Sequence, residues 1–226
     1  MQSVQVTGMN LPHLSRRSFV SSSIKIAPFF CVPGLMAEVL TLTPGQTEGP
    51  FYPDRMPLDT DNDLIIINES LTPAVGTIAY LSGKVTDIKG NAQRNALVEI
   101  WQVDNHGVYL HSRGGSREKL DSNFQGYGRF LTDSKGRYSF RTLKPSPYGG
   151  RTPHIHMAVS TKGKRVLTTQ CYVKNEPRNQ KDFILQRVKD TKARDSLVVP
   201  FSPVGDSKAS EVSARFDIVL GFTPTD

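Results

Sequence analysis

The pattern that most constrains this chain is a series of short apolar segments separated by turn-forming residues. The segments have the length of short strands, and turn signals such as DIKGN (87–91) and DSKGR (133–137) lie between them. One helical window is predicted at 181–190. The predicted strands are residues 63–68, 78–87, 96–103, 128–133, 137–143, 154–160, 166–173 and 215–222.

Eight short strands with this punctuation predict an all-β fold, an antiparallel β-sandwich of the prealbumin-like type with long loops and one short helix. The 226 residues contain no repeat of fixed period, which favours one domain at 38–226 after an extension at 1–37. The formal net charge is +7, but Lys and Arg are scattered among Asp and Glu rather than gathered into a stripe. We therefore expect no nucleic-acid partner.

The extension resembles a twin-arginine export signal. Residues 15–37, SRRSFVSSSIKIAPFFCVPGLMA, have paired arginines, a weakly apolar run and a small residue before Glu38. The run is too short and too interrupted to span a membrane, and a disordered basic tail is the alternative. Its removal would lower the net charge to about +4 and leave Cys171 without a disulfide partner. We expect export to the periplasm or the cell exterior, or a cytoplasmic protein if the extension is only a tail.

The stretch RTPHIHMAV (151–159) places two histidines on either side of one isoleucine. Side chains alternate between faces along a strand, so His154 and His156 are predicted to share one face while Ile155 points the other way. Such a pair fits two hydrogen-bonded histidines on a half-solvated surface. It also fits two ligands of one metal ion, in which case further donors must come from elsewhere in the chain.

Two tyrosines lie in loops next to predicted strands. Tyr148 precedes His154 in a segment rich in Pro and Gly, and Tyr109 follows the strand that ends near Trp101. An aromatic ring with a polar tip commonly packs at a loop edge, so packing is the ordinary interpretation of each tyrosine.

Four motifs occur in one order along the chain: WQVDNHGVY (101–109), LTDSKGRYSFRTLKPSPY (131–148), RTPHIH (151–156) and TTQCY (168–172). Together they resemble the intradiol ring-cleavage dioxygenases, and within that family the protocatechuate 3,4-dioxygenase branch. The resemblance extends from TEGPFYP at 47–53 to FDIVL at 216–220.

The resemblance implies that Tyr109, Tyr148, His154 and His156 bind one non-haem ferric ion. Charge arithmetic supports it, because two phenolates and one hydroxide would neutralise Fe³⁺ while both imidazoles stay neutral. A free phenol has a pKa of about 10, so only a strong Lewis acid would hold it ionised at neutral pH. Zinc, which prefers Cys, His and carboxylate donors, explains the tyrosines poorly.

The resemblance also implies the chemistry. A catechol would replace the hydroxide and one tyrosinate, Tyr148, which then acts as a base, and O₂ would cleave the ring between the two hydroxylated carbons to give a cis,cis-muconate-type diacid. Arg151 matches a pocket arginine that would stabilise negative charge on the ring. Gln170 matches a glutamine near the substrate, and Pro50 and Tyr52 match a segment that borders the substrate pocket.

Two other functions remain open from the residues alone. A non-catalytic prealbumin-like or collagen-adhesin B-type binding module would show the same strand pattern. A cupin-like Fe(II) or Zn(II) enzyme would also use HIH, but it needs a carboxylate ligand, and no Glu lies a few residues beyond His156. The helical N-terminal dimerisation segment of other branches is missing, which favours the protocatechuate-like branch and a homo-oligomer or a paired related subunit. Protocatechuate, catechol, a substituted or lignin-derived catechol and hydroxyquinol all remain candidate substrates.

Overall fold

The computed structural model describes residues 40–68, 70–205 and 210–221, so the predicted export signal at 1–37 lies outside the described residues. Val39–Asp226 form one compact unit. No helix in the described ranges is long and apolar enough to cross a membrane. The strands are β1 (Ile78–Asp87), β2 (Leu97–Trp101), β3 (Tyr127–Leu131), β4 (Arg137–Leu143), β5 (His154–Thr161), β6 (Lys164–Val173), β7 (Val198–Val199), β8 (Ser202–Pro203), β9 (Val212–Arg215) and β10 (Ile218–Leu220). The helix α1 is Thr191–Ser196, and single 3₁₀ turns lie at Arg117–Lys119, Pro177–Gln180 and Leu185–Arg187.

The all-β class is confirmed: the strands form two five-stranded sheets. In the first sheet β1 is central and pairs with β4, β9 and β10, while the second has the order β3-β2-β5-β6-β7. The expectation of a purely antiparallel arrangement is wrong, because β9 and β10 both run parallel to β1, and β7 runs parallel to β6. Both sheets are therefore mixed.

The predicted strand at 215–222 is divided into β9 and β10. Between them, the Phe216 amide donates to the Ser82 carbonyl at 2.8 Å, and the Lys84 amide donates to the side chain of Asp217 at 2.9 Å. A carboxylate thus takes the place of a backbone acceptor at this point, which interrupts the ladder.

The predicted strand at 63–68 is wrong. Leu64 and Ile65 are buried, but the segment forms turns and makes only an isolated bridge at Asp63. The amides of Asp61, Asp63 and Ile65 each donate to the carboxylate two residues earlier, at 3.3, 2.8 and 3.0 Å. Side-chain acceptors therefore replace strand partners in this apolar run.

The predicted helix at 181–190 is also displaced. The side chain of Asp182 accepts the amides of Ile184 and Leu185, which favours a single 3₁₀ turn there. The α-helix begins only at Thr191, where the Asp190 side chain accepts the Ala193 amide at 2.7 Å and caps the helix.

Strand β5 positions the candidate site because its two faces have different surroundings. Ile155 and Met157 lie in a large apolar cluster that also contains Leu81 and Phe140 of the first sheet. The opposite face carries His154 and is covered by loops. The pairing of β5 with β6 keeps one register from His154 to Val159 and shifts by one residue before Ser160.

Candidate metal centre

The two histidines share the loop-covered face of β5, and both are buried, with 1% of His154 and 2% of His156 exposed. Across the sheet, His156 is paired with Trp101 on one side and Gln170 on the other, and His154 is paired with Tyr172. The indole of Trp101 stacks on the His156 ring at 5.0 Å with an interplanar angle of 11°. The predicted alternation of faces along this strand thus agrees with the structure.

The ring nitrogens of the histidines are oriented toward one point. Nδ1 of His154 donates to the Thr152 carbonyl at 2.6 Å, so the proton sits on Nδ1 and Nε2 keeps its lone pair. This Nε2 lies 3.2 Å from Nε2 of His156. Two imidazole nitrogens that face each other in a buried site are suited to share a cation.

The loop after β2 presents Tyr109 to the histidines. The buried Asp104 carboxylate accepts the amides of His106 and Val108 at 2.8 and 3.0 Å, and that of Asp121 at 2.8 Å. Gly114 permits the loop to close, because a Cβ there would lie 2.4 Å from the Tyr109 carbonyl oxygen. Asp104 and Gly114 therefore fix the backbone that carries the Tyr109 ring.

Tyr148 is held by a tight turn at the entrance to β5. The amide of Arg151 donates to the Tyr148 carbonyl at 2.7 Å. Gly149 and Gly150 occupy the two central positions with φ of +50° and +82°, a conformation that favours glycine. This two-residue turn places the half-buried Tyr148 next to Arg151.

Four predicted ligands converge in this region. The ring centroids of Tyr109 and Tyr148 are 4.9 Å apart, those of Tyr148 and His154 5.5 Å, those of Tyr109 and His156 6.0 Å, and those of the histidines 4.8 Å. The Tyr109 hydroxyl and Nδ1 of His156 are buried without a hydrogen-bond partner. Unpartnered buried polar atoms are rare, so the Tyr109 hydroxyl fits a group that binds a cation.

The electrostatics of Tyr109 and the two histidines fit a strongly charged metal. Burial, together with the neighbouring Tyr148, raises the pKa of Tyr109 well above its usual value. Burial and the nearby Arg151 lower the pKa of His154 to about 4, and burial and His154 lower that of His156 well below its usual value. Tyr109, His154 and His156 are therefore neutral at pH 7 without a metal. A strong Lewis acid would be needed to ionise the phenols.

The side chains that would complete a metal site beside the two histidines are tyrosines rather than carboxylates or thiols. Among the residues that the structure describes, no group of three or more His, Cys, Asp and Glu side chains could hold a metal ion. The cupin-like alternative requires a carboxylate beside the histidines and finds none in this part of the chain. The two imidazoles and two phenols match the preference of Fe³⁺ for hard oxygen and imidazole ligands better than that of zinc.

Arg151 lies beside this cluster in a buried ion pair. Its Nε donates to Asp182 at 2.7 Å, and one terminal nitrogen donates to the side-chain oxygen of Gln170 at 2.7 Å and approaches the Tyr172 hydroxyl at 3.4 Å. Burial alone would lower the pKa of Arg151, but Asp182 outweighs it and raises that pKa. Asp182 also accepts the Thr152 amide at 3.1 Å, so one carboxylate orients both the guanidinium and the approach to β5.

Gln170 lies on the same face as the histidines and is fully buried. Its Nε2 donates to the Thr47 carbonyl at 3.0 Å, while its oxygen accepts from Arg151 and, at 2.9 Å, from the Tyr172 hydroxyl. The amide is thereby fixed between the arginine and the segment at 44–52, which we call the strap.

The strap contains Pro50 and Tyr52, whose assignment to the substrate pocket stays a prediction. Pro50 is exposed at a turn, and the Tyr52 hydroxyl donates to the Glu99 carboxylate at 2.7 Å. Phe51, which lies between them, stacks on Tyr109 at 4.9 Å. Sequence analysis missed Phe51, although it is part of the TEGPFYP segment that carries the resemblance.

Sequence analysis assigned no role in this region to Trp101, Asp182 or Glu99, although Trp101 begins the WQVDNHGVY motif. The contact of Trp101 with His156 depends on the pairing of β2 with β5, which the sequence pattern does not specify. Asp182 contacts Arg151 across 31 residues of sequence. Of the two histidines that flank Tyr109, His106 is largely exposed, whereas His111 packs edge-on against Phe51 at 5.6 Å.

Comparison with known proteins identifies the family of this chain. A family described as "Dioxygenase" matches residues 47–221. The protocatechuate 3,4-dioxygenase beta chain of Burkholderia cepacia is 37% identical over 155 residues, which cover 65% of each chain. Catechol 1,2-dioxygenase of Candida albicans is 29% identical over 192 residues, which cover 77% of this chain and 59% of that one. This chain thus spans roughly three fifths to two thirds of the length of these curated relatives.

A solved structure of a dioxygenase domain has a similar fold. The dioxygenase domain of a dioxygenase carbohydrate-binding protein fusion from Streptomyces sp. SirexAA-E is 28% identical, with a TM-score of 0.61, and the match covers 80% of this chain and 99% of that one. The family match extends over most of the described residues and includes both tyrosines and both histidines. This sets aside the binding-module and cupin-like alternatives. The chain belongs to the intradiol ring-cleavage dioxygenase family.

Proposed function

We propose that this protein is a non-haem Fe(III) dioxygenase that uses O₂ to cleave a catechol between its two hydroxylated carbons and releases a cis,cis-muconate-type diacid. The observation that carries the proposal is the convergence of Tyr109, Tyr148, His154 and His156 at one buried point. The names of the relatives, which act on protocatechuate and catechol, support a catechol-type substrate. We further propose that the two sheets form a prealbumin-like sandwich, which their shared apolar cluster supports.

The protein side chains have separate tasks in this reaction. Ferric iron, when bound, supplies the Lewis acidity that ionises the phenols and makes a chelated catechol electron-rich enough to react with O₂. The Thr152 carbonyl keeps a proton on Nδ1 of His154 and so leaves Nε2 free to bind the metal. Tyr148 is the more exposed of the two tyrosines, and we assign its oxygen to accept a proton from the entering catechol.

Arg151 is the electrostatic group of the proposed mechanism. Its guanidinium is fixed by Asp182 and Gln170, so it does not need to reorganise as negative charge grows on the ring. Gln170 in turn is held by the strap and by Tyr172, and we assign it, with Pro50 and Tyr52, to the border of the substrate site.

Metal content, colour and oxygen uptake test the proposal together. Protein reconstituted with iron should bind one ferric ion per chain and show a visible tyrosinate-to-ferric charge-transfer band. His154→Ala and His156→Ala should each lose both the iron and the band. Oxygen uptake should be measured with catechol, protocatechuate and hydroxyquinol, and the products identified, because this gives the substrate and the position of cleavage. A colourless reconstituted protein that consumes no O₂ with any of them would contradict the proposal.

We also propose that residues 1–37 direct export and that the chain assembles with copies of itself or with a related subunit. The paired arginines of the leader support the first proposal, and the separate beta and alpha chains of protocatechuate 3,4-dioxygenase support the second. N-terminal sequencing of the exported protein should place the mature N-terminus near Glu38, whereas an intact Met1 would contradict cleavage. Sedimentation analysis of the purified protein gives the oligomeric state.

A further inference from the structure

The strap (residues 44–52) lies directly against the predicted metal ligands. A Cβ at Gly49 would lie 3.3 Å from Cε1 of His156, so the strap backbone passes close to that ring. Two residues later, the Phe51 ring stacks on Tyr109 at 4.9 Å and meets Tyr148 edge-on at 6.1 Å. The position of this short segment therefore determines how much room remains beside the ligands.

The first half of the strap is fastened to β6 by hydrogen bonds. Backbone and side-chain groups both take part, and all the partners on β6 lie within one run of the strand. These bonds join the Gln46 backbone amide to the Thr168 carbonyl at 2.8 Å, the Thr169 hydroxyl to the Pro44 carbonyl at 2.8 Å, the Gln170 side-chain amide to the Thr47 carbonyl at 3.0 Å and the Tyr172 hydroxyl to the Gln46 side-chain oxygen at 3.1 Å.

The second half is fastened by a different group of side chains centred on Glu99. This residue lies on β2, is 5% exposed and accepts the Tyr52 hydroxyl at 2.7 Å. The same carboxylate accepts the Tyr127 hydroxyl at 2.7 Å and a terminal nitrogen of Arg165 at 3.0 Å. Arg165 also binds Glu48, and its guanidinium lies over the Tyr52 ring, 4.7 Å from the centroid. The cluster thus contacts the strap at both Glu48 and Tyr52.

A buried carboxylate is costly unless its oxygens are satisfied. Burial alone would raise the pKa of Glu99, but the hydroxyls of Tyr52 and Tyr127 and the Arg165 guanidinium outweigh it, and the pKa is lowered. Glu99 is therefore ionised at neutral pH. One of the donors that satisfies it comes from the strap, so movement of the strap away from the site would leave a buried charge short of a partner.

From these contacts we propose that Glu99 and Arg165 are positioning residues that hold the 48–52 part of the strap over the metal ligands, with the Tyr52 hydroxyl as the anchor. The expected effect on substrate binding rests on the proposed function, because it assumes that Phe51 lines one side of the substrate site. The geometric consequence, a closed strap, does not rest on it.

The protein contains a built-in reporter for this closure. Trp101 is the only tryptophan in the sequence. The Tyr52 ring meets it edge-on at 5.0 Å, and the His156 ring stacks on it at 5.0 Å. Trp101 emission therefore reports the packing between the anchor and the site without any substrate or metal.

The test compares Tyr52→Phe, Glu99→Gln and the double variant with the parent. Tyr52→Phe removes only the hydroxyl and should fold even if Glu99→Gln does not. Tyr80→Phe is the matched control, because it removes a tyrosine hydroxyl bound to a glutamate, Glu211, at 2.9 Å on the other sheet. The measurements are amide hydrogen exchange of residues 45–53, the Trp101 emission maximum, and KM and kcat of the iron-loaded enzyme.

We expect Tyr52→Phe to speed amide exchange in residues 45–53 about tenfold, to shift Trp101 emission to longer wavelength, and to raise KM about tenfold with kcat changed less than threefold. The changes in exchange, emission and KM in the double variant should be no larger than those in the more affected single variant, since both substitutions break the same contact between Tyr52 and Glu99. Arg165→Lys, which keeps a cation, should lie closer to the parent than Arg165→Met.

Several results would overturn the inference. Exchange and emission in Tyr52→Phe that match the Tyr80→Phe control would show that the hydroxyl does not hold the strap, and additive single effects would show that Tyr52 and Glu99 act separately. A loss of kcat with unchanged KM would place Tyr52 in the chemistry instead. If the parent neither binds iron nor consumes O₂, the proposed function fails, whereas exchange and emission still decide whether the strap is anchored here.

Discussion

Two arginines reach the face of the sheet that carries the histidines, and their surroundings differ. Arg151 is 7% exposed and pairs with one carboxylate, that of Asp182. The Arg165 side chain is 32% exposed and lies between two carboxylates, Glu48 and Glu99. The first cluster has no net charge, whereas the second carries one excess negative charge.

We infer from this difference that the two arginines have different roles. A fixed and charge-balanced guanidinium next to the ligands can respond to charge that appears on a substrate, because its own partner is already satisfied. The Arg165 cluster is instead connected to the strap at two points and satisfies its buried carboxylate through the strap. We therefore expect changes at Arg151 to affect the rate of the chemical step and changes around Arg165 to affect access.

The largest expected effect separates the two clusters by kinetics. Arg151→Ala should lower kcat by about 10²- to 10³-fold, because one preorganised electrostatic contact is lost, while iron and the visible band remain. Steady-state kinetics and the absorption spectrum of the same preparation check this. Loss of iron as complete as in His154→Ala, or turnover at the parent rate, would contradict the role assigned to Arg151.

A smaller effect separates them by stability. Asp182→Asn should destabilise the fold by about 3 kcal/mol, because it leaves the guanidinium of Arg151 buried without its charge partner. Glu99→Gln should cost only about 1 kcal/mol, since Arg165 is partly exposed and keeps Glu48. Urea unfolding of both variants measures the difference, and equal losses would mean that the clusters are equivalent.

The smallest effect tests whether either cluster depends on the opposite face of β5. Ile155 lies in the apolar core, so Ile155→Val should lower stability by about 1 kcal/mol through a small cavity. Iron content, KM and kcat should match the parent. A changed visible band in this variant would show that core packing and the site are coupled through the strand.

Local patterns predicted the parts of the site that depend on neighbours in sequence. Alternation alone placed His154 and His156 on one face and Ile155 on the other. Arg151 was assigned through the family resemblance that the RTPHIH motif carries. Asp182 and Glu99 were not, since each contacts the region through long-range pairing that no local pattern encodes.

The errors in the predicted fold have a related cause. Leu64 and Ile65 are apolar and buried, as strand residues would be, but the amides of Asp63 and Ile65 donate to carboxylates two residues earlier instead of to a neighbouring strand. The parallel pairing of β9 and β10 with β1 likewise depends on where a distant segment returns. Sequence periodicity is a good guide to which residues are buried. It is a poorer guide to which backbone groups form hydrogen bonds with each other.

The one-residue register shift before Ser160 has a consequence for how this protein can change over evolutionary time. An insertion or deletion inside β5 before the shift would exchange the two faces of the strand and send the histidines into the core. Beyond the shift, at the turn of Lys162 and Gly163, a Cβ on Gly163 would meet nothing within 4 Å. We therefore expect changes in chain length to be tolerated better at that end of the hairpin than within RTPHIH (151–156), whose spacing decides which face the histidines occupy.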